Sequence, residues 1–163
     1  MTSTRHETEV VAPDDLPVVR LVREFDATPD RVFRAHVDPD LLLRWFGPAD
    51  TQTRLDTWDC RSAGSYRYTH VSGPMELVSY GSFHEVVEPS SIVQTVAVEG
   101  MGDGVVLERY RFEPLPGGRT RLTVTTLAED FTTRDQIVAS GMEHGVREGH
   151  ERLDALLADG SVA

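Results

Sequence analysis

The chain has 163 residues, of which 27 are acidic and 16 are basic, so its formal net charge is −11. This length suggests one domain, which is large enough to fold without a disulfide or a structural metal. The acidic balance argues against nucleic acid and anionic membranes as partners, because both attract basic surfaces. The single cysteine, Cys60, excludes an internal disulfide framework.

The N-terminal stretch is polar and acidic, and it lacks the apolar segment of a secretory signal. We expect a disordered tail over residues 1–15, followed by a single domain over residues 16–160. No run of the sequence approaches the roughly 20 apolar residues that a membrane-spanning helix needs. These features together predict a cytoplasmic protein.

The first structured segment combines a strand with two short helices. Residues 17–25 (PVVRLVREF) are rich in β-branched side chains and predict a strand. Thr28 and Asp38 are each followed by a proline, which is the typical order of an N-cap residue and the first helical residue. We therefore expect two short helices, the second of which ends at a glycine–proline pair.

The middle of the chain carries only β signals. Short runs of β-branched and aromatic residues alternate with turns that contain glycine or proline. No crossover helices separate these runs, so they predict an antiparallel meander. The predicted strands cover residues 53–61, 66–71, 77–89, 91–99, 105–114 and 119–127.

The last predicted element is a long amphipathic helix that begins near Thr133, where Gln136 completes a capping box. Because a curved sheet with one apolar face needs a cover, this helix is expected to lie on the sheet. One stripe of the helix is apolar or small at steps of three and four residues. It contains Val138, Met142, Gly145, Gly149, Leu153 and Leu156.

Glycines recur every four residues in this helix, at Gly141, Gly145 and Gly149. Each costs about 1 kcal/mol relative to alanine in a helix interior, so their spacing needs a reason. In one interpretation they let the helix and sheet backbones approach closely. In the other they leave room for a cavity between helix and sheet. Both interpretations stay open at this stage.

The order of these elements resembles the SRPBCC superfamily, which includes START domains and birch-pollen-allergen-like proteins. Within it, the chain is similar to homologues of the activator of the heat-shock chaperone ATPase. The resemblance covers about residues 17–158. It rests on the segments FDATPDRVFRA (25–35), DPDLLLRWFGP (38–48), DCRSAGSYR (59–67), GGRTRLT (117–123) and SGMEHGVREGHERLDALL (140–157).

The resemblance implies an α+β helix-grip fold. In this fold a curved antiparallel sheet of about six or seven strands wraps a long C-terminal helix, and two short helices follow the first strand. Members of the superfamily often enclose a cavity for an apolar ligand, but they also include cyclases, hydrolases and co-chaperone domains. Fold alone therefore does not give the function. True co-chaperones of this type carry a further N-terminal domain, so we expect the family name not to describe the role of this chain.

Strand alternation selects the side chains that are expected to line the cavity. Tyr66, Tyr68 and His70 share one face of a strand, and so do Glu108, Tyr110 and Phe112 on a later strand. The alternative is that these side chains simply fill the core. The full predicted ligand-binding set is Trp58, Tyr66, Tyr68, His70, Phe83, Glu108, Tyr110, Phe112, Met142 and Val146.

His70 and Glu108 are the ionisable groups most suited to face inward, and they are weak candidates for general acid–base catalysis. The alternatives are that either lies at the open rim in water, or that the two form a structural pair. His84, His144 and His150 are expected to be exposed. The histidines show no metal-ligand spacing, so neither a metal nor a cofactor is predicted.

The leading hypothesis is a non-enzymatic protein that binds a small apolar or aromatic molecule between the sheet and the C-terminal helix. One alternative is a polyketide-cyclase-like or hydrolase-like enzyme that uses the same cavity. A second is a co-chaperone-like module that binds another protein, which predicts a large exposed apolar patch. The expected oligomeric state is a monomer or a homodimer.

Overall fold

A computed structural model describes residues 7–163 of the chain as an α+β structure. Within these residues the strands are β1 (Glu9–Val11), β2 (Val18–Phe25), β3 (Gln52–Trp58), β4 (Ser65–Ser72), β5 (Met75–Val87), β6 (Ser91–Val98), β7 (Val106–Leu115) and β8 (Arg119–Leu127). The helices are α1 (Pro29–Val37), α2 (Pro39–Leu42), α3 (Phe131–Ala139) and α4 (Met142–Ala158). None of these helices is long and apolar enough to cross a bilayer.

All the described strands belong to one antiparallel sheet, in the order β1-β2-β8-β7-β6-β5-β4-β3. Strands β3 to β8 form the predicted meander, in which each strand pairs with the next along the chain. β2 closes this meander by pairing with β8, so that Val18 lies opposite Leu127. The sheet is curved, and its inner side carries most of the core.

The sheet has eight described strands, more than the six or seven predicted, because β1 was missed. β1 pairs with the edge of β2, and Val10 lies opposite Leu21. The prediction of a disordered tail over residues 1–15 is therefore wrong for residues 9–11. The β-branched side chains of this segment suit a strand, and its pairing satisfies the free backbone groups of β2. Residues 1–6 of the predicted tail lie outside the described part of the chain.

The two helices after β2 begin at the prolines that the sequence predicts. A carboxylate oxygen of Asp38 accepts hydrogen bonds from the backbone N–H groups of Asp40 (2.9 Å) and Leu41 (3.2 Å), which caps α2. Thr28 occupies the N-cap position of α1, but its side chain makes no hydrogen bond to the helix backbone. α1 lies against the inner side of the sheet, where the rings of Phe33 and Phe112 are 5.3 Å apart.

The single long C-terminal helix predicted from residue 133 is instead two helices. The chain turns at Gly141, whose φ of 81° lies in the left-handed region that glycine adopts without strain. α3 begins two residues earlier than expected, at Phe131. Asp130 caps it by accepting a 2.7 Å hydrogen bond from the Thr133 N–H, so the capping box predicted at Thr133 does not form.

The glycines of α4 face the segment that follows α2. A Cβ added at Gly149 would lie 3.1 Å from the carbonyl oxygen of Trp45, and one at Gly145 would lie 3.1 Å from Cγ of Pro48. Arg152 holds the same segment by donating to the carbonyls of Trp45 (2.8 Å) and Gly47. The glycines thus allow α4 to approach the segment after α2 closely, and not the sheet as one interpretation of the sequence expects.

The C-terminal half of α4 is bound firmly to the rest of the core. Leu153, Leu156 and Leu157 are buried in the main apolar cluster. The prediction that His150 is exposed is wrong, because its ring packs 5.4 Å from the ring of Phe25. The helix therefore buries a polar side chain together with its leucines.

Candidate functional site

The inner face of β4 carries three of the predicted site residues. The rings of Tyr66 and Tyr68 stack at 5.8 Å, and the ring of His70 lies 5.0 Å beyond Tyr68. Phe46, from the segment after α2, covers this row with its ring 5.0 Å from Tyr68 and 5.2 Å from His70. The shared face that alternation predicts for these three side chains is therefore present.

Several of the predicted aromatic residues fill the core. Phe83 and Phe112 are almost completely buried, at 1% and 3% exposure. Phe83 packs against Trp58, with ring centroids 5.5 Å apart. The indole N–H of Trp58 donates a 2.8 Å hydrogen bond to the carbonyl of Val37, which fixes its orientation. All three side chains belong to the core cluster or pack against it, as the core-filling interpretation expects.

Glu108 lies in the middle of this inner face. Its two carboxylate oxygens accept hydrogen bonds from the amide of Gln94 (3.1 Å) and the hydroxyl of Thr126 (3.3 Å). These partners lie directly opposite Glu108 on the two neighbouring strands. Burial raises the pKa of Glu108, and no cation of the described chain pairs with it. The carboxyl group thus has polar neighbours but no compensating charge.

The tyrosine hydroxyls of the inner face differ in their hydrogen-bond partners. Tyr66 donates a 2.6 Å hydrogen bond to the carbonyl of Thr95, and the phenol of Tyr68 interacts with the side chain of Ser79. Burial raises the pKa of Tyr68 to about 12 and that of Tyr110 well above its usual range. These phenols are therefore neutral and lie deep in the fold.

The hydroxyl of Tyr110 has no hydrogen-bond partner within residues 7–163. The only described side-chain polar atom that is both fully buried and without a partner is Nε of Arg23. The Tyr110 hydroxyl therefore keeps some accessible surface, although burial is the main cause of its raised pKa. Tyr68 and Glu108 are likewise only partly buried by surface area. All three side chains thus retain some accessible surface although they lie on the inner face.

His70 and Glu108 do not form a hydrogen-bonded pair. They lie on β4 and β7, three positions apart in the order of the sheet, and no hydrogen bond joins them in the described chain. Nδ1 of His70 is 2.9 Å from the hydroxyl of Thr53. Burial lowers the pKa of His70. Each of the two ionisable groups therefore has its own local partners.

The helical cover over this face is uneven. Val146 of α4 packs against the core, whereas Met142, one turn earlier, is only partly buried and lies outside the core cluster. Most of α3 is exposed, including Phe131 (43%) and Val138 (45%). The first half of α4 and most of α3 are therefore packed less closely than the second half of α4, although Arg134 of α3 is buried.

An open depression of about 340 Å³ lies beside the segment after α2. Two of its lining residues, Phe46 and Thr53, also contact His70. Its remaining wall is largely polar. The lining residues are Leu43, Arg44, Trp45, Phe46, Thr51, Gln52, Thr53 and Arg152.

One polar residue of the inner face, Gln94, was missed from the sequence, whereas Thr126 was expected to share a face with Leu122 and Val124. Gln94 and Thr126 both face inward, on β6 and β8, and strand alternation applied to β6 would have found Gln94 as well. Cys60 is partly buried against the core, and burial raises the pKa of its thiol to about 12. Within the described residues no group of His, Cys, Asp and Glu side chains is arranged to hold a metal ion.

The family is shown by comparison with known sequences. The profile of the family described as "Activator of Hsp90 ATPase homolog 1-like protein" matches residues 26–158. The chain belongs to this family, which places it in the SRPBCC superfamily with the fold described above. A comparison with curated proteins found no match.

Solved structures confirm the fold. A protein from Arthrobacter aurescens superposes with a TM-score of 0.82 at 26% identity, over 93% of this chain and 91% of its own. A protein from Mycobacterium smegmatis gives a TM-score of 0.85 at 23% identity, with 93% and 97% covered. The AHSA1 protein from Silicibacter pomeroyi gives 0.71 at 24% identity, with 88% and 99% covered.

Proposed function

We propose that this protein binds a small apolar or aromatic molecule between the inner face of the sheet and the first half of α4. The observation that carries the proposal is the hydroxyl of Tyr110, which is deep in the fold, without a partner in the described chain, and still accessible. A buried hydroxyl ordinarily finds a hydrogen-bond partner. A bound molecule would supply that partner.

The composition of the inner face supports the same proposal. Ile92, Val124 and Leu21 give it an apolar surface, while Glu108 and Tyr110 place a few polar groups at its centre. Small-molecule sites are mostly apolar, with a small number of polar groups that fix orientation. The C-terminal helices are packed least closely at Met142 and along the exposed side of α3, which suits the entry of a ligand.

The binding function is favoured over an acid–base enzyme that uses His70 and Glu108. A general acid and a general base must both reach the reacting group, within hydrogen-bond distance or through one water molecule. The strand positions and separate partners of these side chains do not support such an arrangement. Glu108 remains suited to orienting a ligand.

The first test is native mass spectrometry of the protein purified from its own host, followed by organic extraction. We expect a stoichiometric small molecule that is lost on denaturation. A second test uses the neutral dye Nile red, whose fluorescence rises in apolar surroundings. We expect saturable binding with a stoichiometry of one dye per chain.

Two matched variants locate the bound dye. Val96→Phe adds bulk on the inner face of β6, whereas Leu107→Phe adds the same ring on the outer face of β7 next to it. We expect the first variant to weaken dye binding by about tenfold or more and the second to leave it unchanged, with circular dichroism confirming both folds. An apo mass together with equal dye binding by both variants would overturn the proposal.

A further inference from the structure

We propose that the molecule bound on the inner face carries a protonated amine, and that the carboxylate of Glu108 binds this amine. The inference rests on the proposed function and names the chemical class of its ligand. Its starting point is an imbalance of charge: Glu108 lies deep in the fold, and none of the arginines described forms an ion pair with it. A buried carboxylate without a counter-charge is costly, and a ligand cation would remove that cost.

The hydrogen bonds of Glu108 leave room for such a ligand. Each carboxylate oxygen accepts one hydrogen bond, from Gln94 or from Thr126. A carboxylate has about four acceptor positions, so roughly two stay free. An ammonium group is a donor only, and it can use these positions without competing for the protein's own donors.

The surroundings of Glu108 also suit a cation. Burial is the main cause of the raised pKa of Tyr110, and the nearby Glu108, Tyr68 and Tyr66 raise it further. The carboxyl group and the three phenols therefore lie within electrostatic range of one another. The rings of Tyr66 and Tyr68 stack at 5.8 Å, and both phenols lie within electrostatic range of the carboxylate. Aromatic faces attract ammonium groups, and the attraction grows when water is excluded.

A neutral hydroxyl could donate to Glu108 as well, but it would leave the charge uncompensated. The whole chain carries a net charge of −11, which raises the local concentration of cations and disfavours anionic ligands. A molecule with an apolar or aromatic body and one ammonium group matches both the apolar wall and the charged centre. An apolar acid of the same shape would be rejected, because it would place a second negative charge beside Glu108.

Binding of an amine has a further consequence for protons. Burial raises the pKa of Glu108 in the empty site, so the carboxyl retains its proton to a higher pH than an exposed glutamate does. A bound ammonium favours the ionised carboxylate. Uptake of an amine near the pKa of the empty site is therefore accompanied by release of a proton, whereas uptake of a neutral analogue is not.

The test compares 2-(2-naphthyl)ethylamine with 2-(2-naphthyl)ethanol by isothermal titration calorimetry on the full chain. We expect the amine to bind about tenfold more tightly or better. Glu108→Gln removes the charge and keeps the shape, and it is expected to abolish this preference while changing the affinity for the alcohol less than about threefold. Glu113→Gln, on the outer face of the same strand, is the matched control and should bind like the unaltered protein.

Proton release is read from titrations in two buffers of different ionisation enthalpy, and it should occur for the amine and not for the alcohol. Equal affinity for amine and alcohol, or an amine preference that survives in Glu108→Gln, would overturn the amine inference and leave the proposed binding function standing. If neither compound displaces Nile red and no dye binds, the proposed function fails as well.

Discussion

At the scale of single residues, two histidines are held neutral inside the fold. Nδ1 of His36 donates a 2.8 Å hydrogen bond to the carbonyl of Val32, and Nδ1 of His150 is 3.0 Å from the hydroxyl of Thr8. Burial lowers the pKa of His36 from 6.5 to about 4. It lowers the pKa of His150 to about 3, with further contributions from His36 and Arg23.

These pKa values predict a loss of stability in mild acid. The unfolded chain binds protons below its histidine pKa of 6.5, whereas the folded chain does so only near pH 4 and pH 3. The stabilisation is therefore complete above pH 6.5 and is lost as the pH falls towards those values. Between pH 7 and pH 5 each histidine is expected to cost about 2 kcal/mol of unfolding free energy.

Urea denaturation at pH 7 and pH 5 measures this loss. His150→Gln should reduce the difference between the two pH values by about 2 kcal/mol. The control is His84→Gln, because His84 is exposed on β5 and its replacement should not change the pH dependence. An unchanged difference in His150→Gln would show that this histidine is not buried as described.

At the scale of elements, α4 is positioned by its small residues as much as by its leucines. Gly149 lies against the carbonyl oxygen of Trp45, which Arg152 holds from the same helix. Gly145 lies against the ring of Pro48, which is a partly exposed side chain and not a backbone carbonyl. The same substitution is therefore expected to have different effects at the two positions.

Gly149→Ala should lower the free energy of unfolding by about 1 kcal/mol, because crowding against a fixed carbonyl outweighs the gain in helix propensity. Gly145→Ala should have a smaller effect or a stabilising one, since the ring of Pro48 can move by a few tenths of an ångström. Thermal unfolding of both variants checks the order. A Gly149→Ala protein more stable than Gly145→Ala would contradict the packing described.

How much of the molecule the sequence predicts depends on how local the signals are. The starts of α1 and α2 and the meander were predicted correctly, because proline, cap and turn residues act within a few positions. The break at Gly141 was missed because the apolar spacing continues through it, and only the backbone conformation reveals it. The pairing of β1 depends on a free strand edge supplied by β2, which no local pattern shows.

The candidate site was predictable only in part for a similar reason. Alternation placed Tyr66, Tyr68, Glu108 and Tyr110 on the inner face, because the period of a strand is local. Whether a side chain fills the core or borders free space depends on what covers it, and the cover comes from distant segments. Phe112 is thus closed off by α1, whereas Tyr110, two residues earlier, keeps accessible surface.

At the scale of the whole molecule, the excess of acidic residues acts against compactness. The net charge is −11 over 163 residues, and the described ion pairs, such as Arg119 with Glu24, neutralise only part of it. Repulsion between unpaired carboxylates extends over a Debye length, about 30 Å at 0.01 M salt and about 8 Å at 0.15 M. Close ion pairs are screened less than this distributed repulsion.

We therefore expect the melting temperature to rise as NaCl is increased from 10 to 150 mM, by about 2–4 °C. Differential scanning fluorimetry at pH 7.5 measures the change. KCl serves as the control and should give the same rise, because screening does not depend on which monovalent cation is present. A melting temperature that is flat or falls over this range would show that the surface ion pairs outweigh the net repulsion.

The pairing of β2 with β8 also sets the order in which the molecule can assemble. Strands β3 to β8 are joined as successive hairpins, so their contacts need only short loops, whereas the pairing of Val18 with Leu127 closes a loop that contains the whole meander. Contacts between distant parts of a chain form slowly. We expect the hairpins to fold first and the β2–β8 ladder last, and pulsed hydrogen exchange would measure this order directly.

Until that ladder closes, the free edge of β8 is open to pairing with another chain, so the refolding yield should fall as the protein concentration rises.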